Sequence, residues 1–157
     1  MIKIKEAKTT TDEDIIRKAF KYKKISYKIA LAVNPNISKD IMTNLLNLKH
    51  ESVSSALASN SNLLPDIAQE LFDSGEFYSL EALSRNSACP PSILDKMKDL
   101  DVFYMHLAEN PSTDFSTLEY IISAKKESEY CYDILSDILQ KRSDIRCVNT
   151  FRNIEKR

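Results

Sequence analysis

The 157-residue chain is 43% hydrophobic and 29% charged with a formal net charge of −1, a composition that supports one packed core without disulfide staples. A single glycine excludes the phosphate-cradling and dinucleotide-binding loops, which need glycines at fixed spacings. The three cysteines, Cys89, Cys131 and Cys147, are odd in number and form no CxxC pair, so no metal site and no cofactor is expected. They read as reduced thiols of a cytoplasmic protein, since the first residues carry no apolar signal core and no apolar run is long enough to span a membrane.

Taken in chain order, residues 12–22 form an amphipathic helix with Ile15, Ile16, Ala19 and Phe20 on its apolar stripe. A short helix follows with Tyr27 and Leu31 at i and i+4, and it ends at Asn34-Pro35. Proline cannot continue that helix, and asparagine tolerates the left-handed conformation and bonds its own backbone. A second helix starts near Ser38 with the stripe Ile41, Met42, Leu45 and Leu46. The same sequence of events returns: Val53 and Leu57, a corner at Asn60, then a helix from Pro65 with Ile67, Ala68, Leu71 and Phe72. A proline suits the first turn of such a helix, and Gly75 caps its end. A third copy turns at Asn86 and restarts at Pro91 with Ile93, Leu94 and Met97. A fourth has Phe103 and Leu107, a corner at Asn110, and an offset helix near Ser116 with Leu118, Ile121 and Ile122.

The corner motif small–Leu–small–x–Asn thus recurs at Leu31, Leu57, Leu83 and Leu107, at intervals of 26, 26 and 24 residues. His106 fills the first position in the last copy. No such unit buries its stripe alone, so the copies are expected to stack. The reading is one all-α domain over 1–157. It has an N-terminal cap helix at 12–25 that supplies only the second helix of a unit, repeats at 26–50, 51–75, 76–100 and 101–125, and C-terminal cap helices at 127–157, including one around Ile145 to Ile154.

The corner Leu31, Ala32, Asn34, Pro35 with its following isoleucine resembles the leucine-rich repeat variant, a bacterial relative of HEAT and armadillo arrays. The resemblance covers roughly residues 27–124. It implies a right-handed superhelical solenoid of about four two-helix repeats of 24–26 residues, in which the short first helices are α or 3-10. It also implies a scaffold for binding macromolecules with no fixed reaction. Some members carry a cysteine-bound iron–sulfur cluster, and this chain lacks that cysteine grouping. HEAT-like DNA glycosylases share the architecture but trap an alkylated base with tryptophans, of which this chain has none.

Charge is unevenly placed. Residues 1–28 hold nine Lys or Arg against four acids, a net of +5; residues 29–139 hold seven against seventeen, a net of −10; residues 140–157 hold six against two, a net of +4. On the outward positions of the second helices stand Arg17, Lys18 and Lys21, then Asn44 and Asn47, then Gln69, Glu70 and Asp73, then Asp95, Lys96 and Asp99, and Glu119 and Tyr120 in the offset copy. In related solenoids these helices line the concave surface, so this graded ladder is the candidate protein-binding face. The expected function is a non-catalytic scaffold that binds a protein partner through it, because an acidic array lacks the Lys and Arg that phosphates require.

Two alternatives use the ends. The basic patch of Arg17, Lys21, Lys24 and Lys28, with Tyr22 and Tyr27 interleaved as stacking groups, suits nucleic acid; basic ends meeting an acidic body suit salt-dependent self-association. No membrane contact is expected. With two histidines on separate repeats, no catalytic pairing is defined and no enzyme is expected. His50 reads as solvated. His106 stands in a column otherwise Ala30, Ala56 and Ala82, which means either looser packing in the last repeat or a group that titrates near neutral pH at a contact.

Overall fold

The computed structural model describes residues 2–125 and 128–141, the side chains of residues 129 and 132 excepted. The expected helix around Ile145 to Ile154 and Cys147 lie outside these. Among the described residues the chain is all-helical, without a strand. Its contacts divide it into two compact units, Met1–Cys89 and Pro90–Arg157.

The first unit holds α1 (Ile4–Thr9), α2 (Glu13–Lys21), α3 (Ile25–Ala32), α4 (Lys39–Leu46), α5 (Glu51–Ala58), α6 (Pro65–Asp73) and α7 (Phe77–Arg85). The odd-numbered helices pack one on the next, α1 on α3, α3 on α5 and α5 on α7. The even-numbered ones lie against them: α2 on α3, α4 on α5, and α6 on α5, α7 and α4. Leu31, Leu57 and Leu83 are fully buried in the odd-numbered layer, and the small residues Ala32, Ala58 and Ser84 beside them are equally closed off. The even-numbered helices close the core with Ile16, Met42, Leu45, Ile67 and Leu71. The first helices of these repeats, α3, α5 and α7, are α-helical over eight or nine residues.

Helix α1 corrects the expected boundary of the N-terminal cap. The segment is a two-helix unit, because the six residues of α1 precede α2 and pack on α3. Ala7 is the sole buried residue of α1, so its sequence shows no helical stripe from which the helix could be read. Thr10 takes the corner position: its Oγ1 accepts from the Asp12 N–H at 3.1 Å, and Asp12 in turn caps α2 through the Asp14 and Ile15 N–H groups.

The corner asparagines do more than end helices. Each Oδ1 accepts from the backbone N–H two residues on, at 2.8–2.9 Å for Asn34, Asn60, Asn86 and Asn110. In the first unit each amide then reaches back to the preceding corner. Asn34 Nδ2 donates to the carbonyls of Ala7 and Thr10 at 3.0 and 2.9 Å. Asn60 donates to Ala32 and Asn34 at 2.7 and 2.9 Å, and Asn86 to Ala58 and Asn60 at 2.7 and 2.8 Å. Helix ends leave carbonyls without intrahelical partners, and here the next unit supplies the missing donors. The left-handed backbone expected at these asparagines is not adopted; among the described residues, positive φ occurs only at Lys49 and Gly75.

Those two residues share a column, 26 positions apart. Gly75 has φ 68° just past α6, with its N–H on the Phe72 carbonyl at 3.1 Å, the cap that its sequence position suggested. Lys49 has φ 48° after α4, a conformation in which Cβ crowds the following carbonyl at a cost of about 1–2 kcal/mol. Lys49→Gly is therefore expected to raise stability by about 1 kcal/mol, and Gly75→Ala to lower it by a similar amount. Urea denaturation of the two variants checks both signs, and a loss on Lys49→Gly would contradict the account.

The second unit holds α8 (Pro91–Lys96), a 3-10 turn at Asp101–Phe103, α9 (Tyr104–Glu109), α10 (Phe115–Lys125) and α11 (Glu129–Lys141). The 3-10 turn leads directly into α9, so this last first helix begins as 3-10 and continues as α. Helix α11 packs on α9 and α10, and Leu135 and Leu139 are buried, as are Phe103, Leu107, Ile121 and Ile122. His106 is half-buried, its ring 6.3 Å from that of Phe103.

Candidate protein-binding face

In the first unit the sequence-predicted face residues sit on α2, α4 and α6, with Asn47 at the C-terminal cap of α4. Arg17, Lys18, Lys21, Asn44, Asn47, Glu70 and Asp73 are exposed, and Gln69 is half-buried. Their columns run across the helices with a change of charge: Lys18, Asn44, Glu70 in one and Lys21, Asn47, Asp73 in the next. Between α2 and α4 lies a cleft of about 270 Å³ lined by Glu13, Ile16, Arg17, Asn36, Ser38, Asp40, Ile41 and Asn44. Thus Arg17 and Asn44 border one cavity.

Several charges are held by neighbours within the chain. Arg17 pairs with Glu13 at 3.4 Å. Lys39 pairs with Asp66 and ties the first turns of α4 and α6 together. The hydrogen bond between them holds the Asp66 carboxyl below the usual range and raises the Lys39 ammonium. Asp73 accepts from Gln69 Nε2 at 2.7 Å. Neither Lys39 nor Asp66 was legible as part of the face, because 27 residues separate them in sequence.

In the second unit the expected ladder residues are used differently. Asp95 is half-buried and accepts from Thr117 Oγ1 at 2.8 Å and from Lys98 Nζ at 3.0 Å. The Thr117 hydroxyl, then Lys98, holds its carboxyl below the ordinary range. Tyr120 donates to Asp99 at 2.5 Å, and Lys98 lies 5.1 Å above its ring. Asp95, Asp99 and Tyr120 therefore tie α8 and its following turn to α10; Asp99 and Tyr120 stay exposed while so engaged, and Lys96 and Glu119 are exposed as well.

The basic alternative also changes on folding. Tyr22 and Tyr27 pack against each other with ring centres 4.6 Å apart and planes tilted by 39°, and the Tyr27 hydroxyl donates to the Ile2 carbonyl at 2.7 Å. Tyr27 is buried, so this pair packs the N-terminus and presents no open platform for bases. Lys28 lies 4.0 Å over the Phe20 ring, and partial burial lowers its ammonium's pKa. Lys21 and Lys24 are exposed.

The thiols are separated by environment. Burial pushes the Cys89 thiol from 9.0 up to about 12, whereas hydrogen bonding with Ser128 and Tyr104 lowers that of Cys131, whose Sγ lies 3.4 Å from the Tyr104 hydroxyl. Folding keeps the Cys89 proton that the unfolded chain releases near pH 9. The stability due to this site is intact below that pH and is lost between pH 9 and 12, at up to about 1.4 kcal/mol per pH unit. Cys89→Ala is expected to flatten the alkaline arm of a stability–pH profile relative to the parent; an unchanged arm would refute this.

Among the described residues, no group of His, Cys, Asp or Glu is placed to hold a metal ion, and no helix is long and apolar enough to cross a membrane. No family model matches the chain, and no curated protein or solved structure matches it significantly. The likeness to leucine-rich repeat variants therefore rests on the repeat residues alone.

Proposed function

We propose that the chain is a non-catalytic helical-repeat scaffold, built as a superhelical solenoid of the leucine-rich repeat variant kind, which binds another protein through the outward residues of its second helices. The observation that carries this reading is the exposed series on α2, α4 and α6, which passes from Lys18 and Lys21 through Asn44 and Asn47 to Glu70 and Asp73. Folding leaves these side chains in solvent while the corner asparagines take up the backbone groups behind them. A solvated, graded face of this sort steers a partner of complementary charge and loosens with salt. Nucleic acid is the weaker reading, because the tyrosines that would stack on bases are engaged with each other and with Ile2.

The test is capture of partners from native lysate with and without nuclease, on the parent and on Glu70→Lys/Asp73→Lys. Both positions are exposed, so the fold is expected to change by less than about 1 kcal/mol. A protein that survives nuclease, leaves with salt and is lost by at least tenfold on charge reversal supports the scaffold. Capture that needs nucleic acid, or that ignores the reversal, overturns it.

A further inference from the structure

The same face defines the chemistry of its occupant. Two columns, Lys18–Asn44–Glu70 and Lys21–Asn47–Asp73, each cross three successive second helices and change from cation to amide to carboxylate. All six side chains are exposed. The Asp73 carboxylate accepts from Gln69, a neutral donor that leaves its charge in place, and Glu70 lies close enough to Lys39 to help raise that ammonium's pKa. At the 8–10 Å spacing of packed helices, a path from α2 across α4 to α6 covers about 16–20 Å. An extended chain rises about 3.3 Å per residue, so five or six residues span that distance. The cleft between α2 and α4 opens beside Asn44, whose amide offers a donor and an acceptor to a peptide group.

Resting on the scaffold reading, we infer that the face binds an extended peptide segment of its protein partner, laid across α2, α4 and α6, with acidic side chains over Lys18 and Lys21 and basic side chains five or six residues away over Glu70 and Asp73. Charge complementarity selects this occupant. A uniformly acidic ligand such as nucleic acid meets Glu70 and Asp73 with like charge, and a uniformly basic one meets Lys18 and Lys21. A peptide with separated blocks of charge satisfies both ends, and chain direction follows from which end is acidic.

The test uses synthetic peptides and the full chain. A labelled peptide with about three aspartates, a spacer of roughly four serines and alanines, and about three lysines is titrated in both chain directions by fluorescence anisotropy, beside an isomer with the same residues in alternating order. At least one block peptide is expected to bind tenfold or more tighter than the alternating isomer at low salt. Lys18→Glu/Lys21→Glu and Glu70→Lys/Asp73→Lys should each abolish that preference, and the combined reversal should prefer the peptide of opposite direction. Equal binding of block and alternating peptides, or binding of neither, overturns the inference. If the peptides fail while the lysate partner is still lost on Glu70→Lys/Asp73→Lys, the scaffold stands and the extended-peptide mode falls. If both fail, the face is solvated surface.

Discussion

Asn60→Ala is expected to lower the unfolding free energy by about 3–5 kcal/mol, enough to move the midpoint of thermal unfolding by on the order of 10 °C. The side chain is fully buried and serves three backbone groups. It donates to the Ala32 and Asn34 carbonyls and accepts from the Asn62 N–H. Truncation leaves the two carbonyls in the interior with poor replacements: the Asn34 carbonyl retains a long contact at 3.5 Å from the Ile37 N–H. Each buried group left unsatisfied costs about 1–3 kcal/mol. Asn60→Asp separates the two roles, since it keeps an acceptor for Asn62 but replaces the donors with an oxygen facing two carbonyl oxygens. If the link between units dominates, Asp is at least as damaging as Ala at neutral pH. If the local turn dominates, Asp is nearly neutral. As a control, Asn62→Ala removes an exposed bond to the Pro35 carbonyl at 3.0 Å and should cost no more than about 1 kcal/mol. Urea denaturation of the three variants decides among these outcomes.

Leu57→Ala should cost about 3–4 kcal/mol. Leu57 lies at the centre of the odd-numbered layer, on a helix that packs against both α3 and α7, and it is closed to solvent. The cavity has walls on two sides that are tied by the amides of Asn60 and Asn86, so it collapses only in part and a cost in the middle of the range for such truncations, about 2–5 kcal/mol, applies. Leu46→Ala, at a half-buried position, should cost about 1–2 kcal/mol. Ala58→Leu tests the same layer from the other direction: Ala58 is fully buried, and overpacking costs about 1–3 kcal/mol. A Leu57→Ala cost below about 1 kcal/mol would mean that α3 and α7 close over the gap.

Most of the helices and the recurrence of the corner motif were legible in the sequence. Apolar residues at i and i+4, the Asn-Pro and Pro starts, and a 26-residue recurrence are local signals, and local signals survive in a single chain. Ser38, Pro65 and Pro91 do open helices, and Gly75 does close one. Helix α1 escaped because one buried alanine makes no periodic pattern, and its place is fixed by α3 and by the amide of Asn34.

Which polar residues remain available depends on how the helices pack. Asp73 and Asp99 occupy the same column, 26 residues apart, yet Asp99 is held by Tyr120 from another helix while Asp73 accepts from Gln69 of its own helix. Tyr22 and Tyr27 read as free aromatics until their rings meet. The corner asparagines read as turn residues until the next unit brings their amides onto carbonyls 24–28 residues away. A side chain's type is written in the sequence, but its partner depends on which groups folding brings within about 3 Å, and hydrogen bonds and ion pairs fall away steeply beyond that distance.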